Sequence, residues 1–162
     1  MAQNDGVTAF SWTGQVRGWS RPRFDGRSKR VFNDAKLTKY QKQIADAFRD
    51  QCPGVFFPEG EPLRVSIHTF RPLPGSKPKR ITAEPDTLKP DADNIGKAVL
   101  DALNGVAFHD DAQVVELSVV KHRRIRGAVE RISVIIARCE YDLYVYERKT
   151  CQDQEKGTFG AA

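Results

Sequence analysis

The apolar pattern near the middle of the chain constrains the fold most strongly. After Asp93, apolar side chains recur at intervals of three and four residues, at Ile95, Ala98, Val99, Ala102 and Leu103. This spacing predicts one face of an amphipathic helix, with Asp93 as its N-cap and Asn104-Gly105 at its end. Gly96 inside the helix costs up to about 1 kcal/mol relative to alanine. The opposite face then carries Asn94, Lys97 and Asp101.

Strands are predicted on both sides of this helix. Leu63–Phe70 alternates apolar and polar residues, and 114–122 and 129–137 read as two further strands joined in a hairpin. A first strand is predicted over 7–16. A helix is predicted over 38–49, with Thr38 as its N-cap. The expected fold class is α+β: a single small domain in which helices pack on a mixed or antiparallel sheet.

Length and composition favour one domain in a reducing compartment. A chain of 162 residues is long enough to bury its own core, so we assign 1–146 to the domain and 147–162 to a polar, disordered tail. The three cysteines are odd in number and form no CxxC pair. No signal peptide and no run of about 18 apolar residues are evident. The expected protein is soluble and cytoplasmic.

Closely spaced carboxylates and a lysine surround the start of the central helix. Asp91 and Asp93 are two residues apart in extended chain, so both can face one side, and Lys97 lies one helical turn beyond Asp93. Hard cations such as Mg²⁺ prefer a few carboxylates together with water and phosphate oxygens. Asp110-Asp111 could supply a further carboxylate if the helix returns the chain to the same edge. This pattern favours metal-assisted phosphodiester cleavage.

Less specific interpretations of the same acids stay open. Asp93 could serve only as a helix cap, and Asp110-Asp111 only as a turn, in a DNA-binding module without catalysis. A calcium-binding EF-hand loop is excluded, because Ile95 and Ala102 stand where that loop needs oxygen ligands.

Basic segments before and after the acids predict contact with a polyanion, and the net charge of +5 permits one. Residues 17–30 carry six basic side chains and one acid; Trp19 and Phe24 within them suit either base stacking or the core. Residues 71–80 hold four basic side chains and three prolines and should form a mobile loop. The basic hairpin tip at 121–127 could bind phosphates or protect a sheet edge. Candidate DNA contacts are Arg21, Arg23, Lys77, Lys79, Arg80, Lys89, Lys121, Arg123 and Arg124.

The residues from 89 to 121 together resemble the signature of the RusA family of Holliday junction resolvases, which is common in bacteria and prophages. The resemblance consists of a basic residue before D-x-D-N, a lysine three residues later, a D-A-L helix end, and D-D-x-Q leading into a strand. In this chain these are Lys89, Asp91-Ala92-Asp93-Asn94, Lys97, Asp101-Ala102-Leu103 and Asp110-Asp111-Ala112-Gln113. The run at 21–24 is more loosely similar to phage-type members.

The resemblance implies a homodimer that binds four-way DNA junctions by their structure. Such an enzyme would nick two opposing strands symmetrically, with Mg²⁺ or Mn²⁺, during DNA recombination and repair. By motif position, Asp91, Asp93 and Asp111 would be the metal-binding aspartates, with Asp110 as second choice to Asp111. Lys97 would be the essential lysine.

Overall fold

Two helices and a mixed four-stranded sheet dominate the structure. It is a computed structural model that describes residues 6–21, 23–25, 30–32 and 34–139. The helices within these residues are α1 (Ala35–Gln51) and α2 (Ala92–Leu103). The strands are β1 (Val7–Thr13), β2 (Arg23–Asp25), β3 (Arg30–Phe32), β4 (Leu63–Phe70), β5 (Ala83–Glu84), β6 (Val114–Lys121), β7 (Arg124–Ile125) and β8 (Arg131–Arg138).

The main sheet has the order β1-β8-β4-β6. β8 runs antiparallel to both β1 and β4, whereas β4 and β6 are parallel. A parallel pair needs a crossover connection, and α2 provides it between β4 and β6. β2 pairs with β3, and β5 pairs with β7, in two small antiparallel ribbons. The prediction of a small α+β domain with a mixed sheet is confirmed.

The core lies between one face of the sheet and the two helices. Alternate residues of β4 and β8 point into it, and α1 contributes an apolar stripe that includes Tyr40, Ile44 and Phe48. The fully buried side chains include Leu63, Val65, Ile67, Ile132, Val134, Ile136, Tyr40, Ile44, Ile95, Val99 and Leu103. The same burial fixes how α2 is oriented, because its apolar face must meet the sheet.

The predicted hairpin between 114–122 and 129–137 is wrong. β6 and β8 are not neighbours, because β4 lies between them and pairs with both. The basic residues after β6 instead form the short strand β7, which pairs with β5. Two sequential strands usually pair, but here the helical crossover places β6 at the edge of the sheet beside β4.

Helix starts and one loop also differ from expectation. α1 begins at Ala35 with Asp34 as its N-cap, so Thr38 lies inside the first turn. α2 begins at Ala92 with Asp91 at the N-cap position, which puts Asp93 in the first turn. Residues 71–80 are irregular, as expected, but they are anchored rather than free: the Arg126 guanidinium donates to three carbonyls of 77–81.

Gly96 has a packing role that its low helix propensity does not indicate. A β-carbon on Gly96 would lie 3.2 Å from side-chain atoms of both Leu117 and Val119 on β6. The missing side chain therefore lets α2 approach the edge strand closely. The propensity cost of glycine in the helix is offset by this contact.

Replacing Gly96 by leucine should destabilise the domain strongly. The new side chain has no space against β6, and overpacking of this kind costs about 1–3 kcal/mol. We expect a lower midpoint of urea unfolding with an unchanged slope. Ala47→Leu on α1, a partly buried position at the edge of the core, serves as the comparison. An equal midpoint for wild type and Gly96→Leu would contradict the tight packing of α2 on β6.

Two other expectations concern the chain as a whole. Within the residues that the structure describes, no helix combines the length and apolar character needed to cross a membrane. The predicted tail at 147–162 lies outside the described residues and stays a prediction.

Candidate active site at the start of the second helix

Asp91 and Asp93 are presented at the amino end of α2. Asp91 occupies the N-cap position, yet its carboxylate makes no capping hydrogen bond. Asp93 follows in the first turn, where its carboxylate is exposed. The side chain of Asp91 is half exposed (55%) and lies 3.9 Å from the amine of Lys89, itself 90% exposed. A surface pair of this kind contributes little energy, so both carboxylates remain available to a ligand.

Lys97 lies one turn further along the exposed face of α2. Its ammonium is 3.7 Å from the Asp101 carboxylate, and it lies 5.2 Å above the centroid of the Trp19 ring. The predicted grouping of Lys97 with Asp101 on one helix face is confirmed. The cation is thus held between a carboxylate one turn further along and an aromatic face, on the same exposed side of the helix as Asp93.

A cleft of about 390 Å³ opens beside these residues. Its walls come from the segment after β1 and from the start of α2, with Arg17, Trp19, Lys89, Asp91 and Asn94 among the lining residues. The two walls are joined closely: the amide of Trp19 donates to the Asn94 carbonyl at 2.7 Å. Trp19 is partly buried against the core and forms one wall.

Gly18 makes the approach of these two walls possible. A β-carbon at this position would lie 2.7 Å from Cβ of Pro90 and 3.1 Å from Cβ of Asn94. Any larger residue would push the segment after β1 away from the start of α2. The cleft is therefore set by backbone packing and not by side chains alone.

Asp110 and Asp111 lie at the opposite end of α2. They precede β6, whose eight residues span roughly 23 Å at about 3.3 Å per residue. At the other end of β6, the amine of Lys121 bonds the carbonyl of Pro90 at 3.0 Å. Asp111 is therefore on the order of 20 Å from Asp91 within one chain. The helix does not return the chain to the same edge.

Asp110 and Asp111 differ in their local structural roles. The Asp110 carboxylate accepts from the amide of Ala112 at 2.8 Å, in a capping box with Gln113. Asp111 begins the 3-10 turn Asp111–Gln113 and is half-buried. Asp110 thus has a local structural partner, and Asp111 is the more available ligand. No group of three potential metal ligands is assembled within the residues that the structure describes.

Several predicted DNA contacts lie at the end of the sheet that carries Asp91. Arg21, Lys79, Arg80, Lys89 and Arg123 are exposed. Lys77 is half-buried and pairs with Glu84 at 2.8 Å. These cations come from the loops that follow β1, β4 and β6. The backbone of Arg23 lies in β2, and its side chain falls outside the described residues.

Two of the predicted DNA contacts are engaged inside the fold. Arg124 is 6% exposed, and its guanidinium bonds the Pro72 carbonyl and the Glu84 carboxylate. Burial against these partners removes Arg124 from the accessible cationic surface. The Lys121 ammonium donates to the carbonyls of Leu88 and Pro90, at 2.5 and 3.0 Å.

Sequence reasoning missed Arg71 and Asp86 beside this site. Their side chains form an ion pair at 3.5 Å, with 12% of Arg71 and none of Asp86 exposed. Arg71 also donates to the Lys89 carbonyl at 2.9 Å. A weak signal exists, since Arg71 directly follows the well-defined strand β4 and Asp86 precedes the acidic motif.

The fold and this site define a small α+β protein whose acidic helix start lies among cationic loops, as expected of proteins that act on nucleic acids. The sequence profile of Endodeoxyribonuclease RusA matches residues 13–137, and the chain belongs to the RusA endodeoxyribonuclease family. The Uncharacterized protein YqaN of Bacillus subtilis (strain 168) is 36% identical over 121 residues, which cover 69% of this chain and 84% of that protein.

Proposed function

We propose that the protein is a structure-selective, metal-dependent endodeoxyribonuclease that resolves Holliday junctions by paired symmetric nicks in DNA recombination and repair. Membership of the RusA family supports endonuclease activity on DNA. The observation that carries the site assignment is the N-cap aspartate: Asp91 begins α2 without capping it. A carboxylate in that position that is not used by the helix is available for another ligand.

A divalent ion fits the residues at the start of α2. Asp91 and Asp93 offer hard oxygen donors at an exposed position, which suits Mg²⁺ or Mn²⁺ with waters and DNA phosphate completing the shell. When bound, the ion would acidify water and stabilise negative charge on the attacked phosphate. Lys97, one helical turn beyond Asp93 on the exposed face of α2, would stabilise the same charge on the phosphate.

The Asp111 carboxylate that the family resemblance implies for this site would come from a second copy of the chain. Asp111 is too far from Asp91 to share one ion with it inside a single chain. Two symmetric nicks also require two sites related by a two-fold axis, as a homodimer provides. The two requirements are met together if each site combines Asp91 and Asp93 of one subunit with the partner's Asp111.

The outer edge of β6 supports such a dimer. In the described part of the chain no strand pairs with this edge, and β6 exposes Val115, Leu117 and Val120 on its two faces. Antiparallel pairing of two β6 strands across a two-fold axis places the start of each beside the end of the other. That arrangement brings Asp111 of one subunit to the end where the partner's Asp91 lies.

The cationic loops would bind the DNA backbone. Lys79, Arg80, Lys89 and Arg123 are exposed at the end of the sheet where Asp91 lies. Contacts between lysine or arginine and phosphate orient DNA without reading its sequence. A selectivity for four-way junctions would then come from the spacing of two such surfaces in the dimer.

A cleavage assay on a synthetic four-way junction tests this function. We expect Mg²⁺-dependent paired nicks in the junction, no cleavage of linear duplex of the same sequence, and complete loss of activity in EDTA. Binding should weaken steeply with salt as counterions compete for phosphate. Junction binding without cleavage in either Mg²⁺ or Mn²⁺ would instead favour a non-catalytic DNA-binding module.

A further inference from the structure

We propose that Lys121 and Arg71 are positioning residues that fix the backbone presenting Asp91 and Asp93. Each cation bonds carbonyls of the segment 88–90, which leads directly into the N-cap of α2. This inference rests on the proposed function, because it assigns the two residues a role in the geometry of the proposed metal site. It also replaces the DNA-contact role predicted for Lys121.

Lys121 bridges two carbonyls on either side of Lys89. It is the last residue of β6, and its ammonium donates to the Leu88 carbonyl at 2.5 Å and to the Pro90 carbonyl at 3.0 Å. The side chain is half-buried, unlike that of Arg123 two residues later. Hydrogen bonds from a charged donor are about twice as strong as neutral ones. Two of the three ammonium donors are therefore used to hold this loop.

Arg71 contacts the carbonyl between those two. It follows the end of β4, and its guanidinium donates to the Lys89 carbonyl at 2.9 Å. The same group lies 3.5 Å from the fully buried carboxylate of Asp86. Within the described residues the Asp86 oxygens have no hydrogen-bond partner, so Arg71 supplies the opposite charge that this buried carboxylate needs.

Three successive carbonyls, of Leu88, Lys89 and Pro90, are thus held by one cation at the end of β6 and one directly after β4. β4 and β6 pair along their length and belong to the main sheet. The loop is therefore held in place by a rigid part of the protein and not by solvent-exposed side chains. Since a displacement of about 1 Å can cost a hundredfold in rate, this anchoring matters for two carboxylates that bind one ion.

Lys121→Met tests the inference, because methionine keeps most of the side-chain length and removes the ammonium. We expect the cleavage rate at saturating junction to fall about 10–100-fold, as when groups that orient metal ligands are removed. The concentration of Mg²⁺ for half-maximal rate should rise. Direct titration with Mn²⁺, followed by its electron spin resonance signal, should show weaker binding without any DNA. Lys121→Arg should recover part of both losses.

Two further variants separate positioning from phosphate contact. Arg123→Gln removes an exposed cation nearby and should weaken junction binding in EDTA while leaving Mn²⁺ affinity unchanged. Arg49→Gln, on the exposed face of α1, should change neither. Lys121→Met should keep wild-type junction affinity in EDTA. If Lys121→Met loses only junction affinity and binds Mn²⁺ normally, the positioning role is overturned.

The Arg71 contact is tested in a variant that leaves no unpaired charge buried in the fold. Arg71→Gln alone would leave Asp86 charged and buried, so it is combined with Asp86→Asn, and thermal unfolding is measured beside activity. We expect the folded double variant to bind Mn²⁺ more weakly, whereas Asp86→Asn alone retains the bond from Arg71 to Lys89 and binds normally. Equal Mn²⁺ affinity in the double variant and wild type would overturn the role of Arg71. Wild-type protein that binds Mn²⁺ but leaves junctions intact would contradict the proposed function instead.

Discussion

Asp91→Asn is expected to abolish cleavage while junction binding survives. The amide keeps the size of the carboxylate but removes the charge that would hold a divalent ion. Loss of several kcal/mol of charge stabilisation corresponds to a rate decrease of about 10³-fold or more. The fold should be unaffected, because the Asp91 side chain makes no capping hydrogen bond.

Binding and cleavage should respond in opposite directions. Asp91→Asn removes one negative charge from a surface that would face phosphate in the proposed complex, so junction affinity in EDTA should be equal to or slightly above that of wild type. Quantitative gel shift in EDTA and single-turnover cleavage in Mg²⁺ measure the two quantities separately. Asp46→Asn, at a half-exposed acid paired with Arg49 on α1, is the matched control and should leave both unchanged. Full cleavage by Asp91→Asn would remove Asp91 from the site.

Local periodicity was enough to predict the elements that frame this site. β4 was predicted as Leu63–Phe70 with both ends correct, because its alternation of apolar and polar residues follows burial on one face. The apolar stripe of α2 could be predicted equally well. The N-cap position could not be predicted in this way, because both Asp91 and Asp93 are good capping residues by type, and the structure places Asp91 there.

Long-range pairing could not be read from the same patterns. β6 and β8 both look like strands, and a basic turn between them suggests a hairpin, but strand order depends on where α2 crosses the sheet. The same crossover sends Asp111 to the far end of the molecule from Asp91. Proximity in a motif was therefore a poor guide to proximity in space.

Charge alone also failed to separate exposed cations from those that are buried and paired within the fold. Arg123 and Arg124 are adjacent and equally basic, yet Arg123 is exposed while Arg124 is buried against Pro72 and Glu84. Glu84 lies 40 residues away in sequence and reaches Arg124 only through the pairing of β5 with β7. Such partners become evident only once the tertiary structure is known.

The proposed site, shared between two subunits, leads to a second prediction: two inactive chains restore activity when they form a heterodimer. Co-expressed Asp91→Asn and Asp111→Asn chains, purified as heterodimers by two different tags, contain one site with both substitutions and one site with neither. We expect each homodimer to be inactive and the heterodimer to nick a junction at about half the wild-type initial rate per dimer. The product should be nicked in one strand only, since paired cuts need both sites.

The reciprocal heterodimer should give the opposite result, which distinguishes a shared site from a site built from a single chain. When Asp91→Asn and Asp111→Asn are placed together on one chain and the partner is wild type, each composite site loses one aspartate. This heterodimer should be inactive, although it contains a complete set of aspartates on its wild-type chain. If each site were built from a single chain, the wild-type subunit would cleave here and the first heterodimer would not. The two heterodimers therefore distinguish the two site architectures by which of them is active, because both carry the same pair of substitutions and differ only in their distribution between the chains.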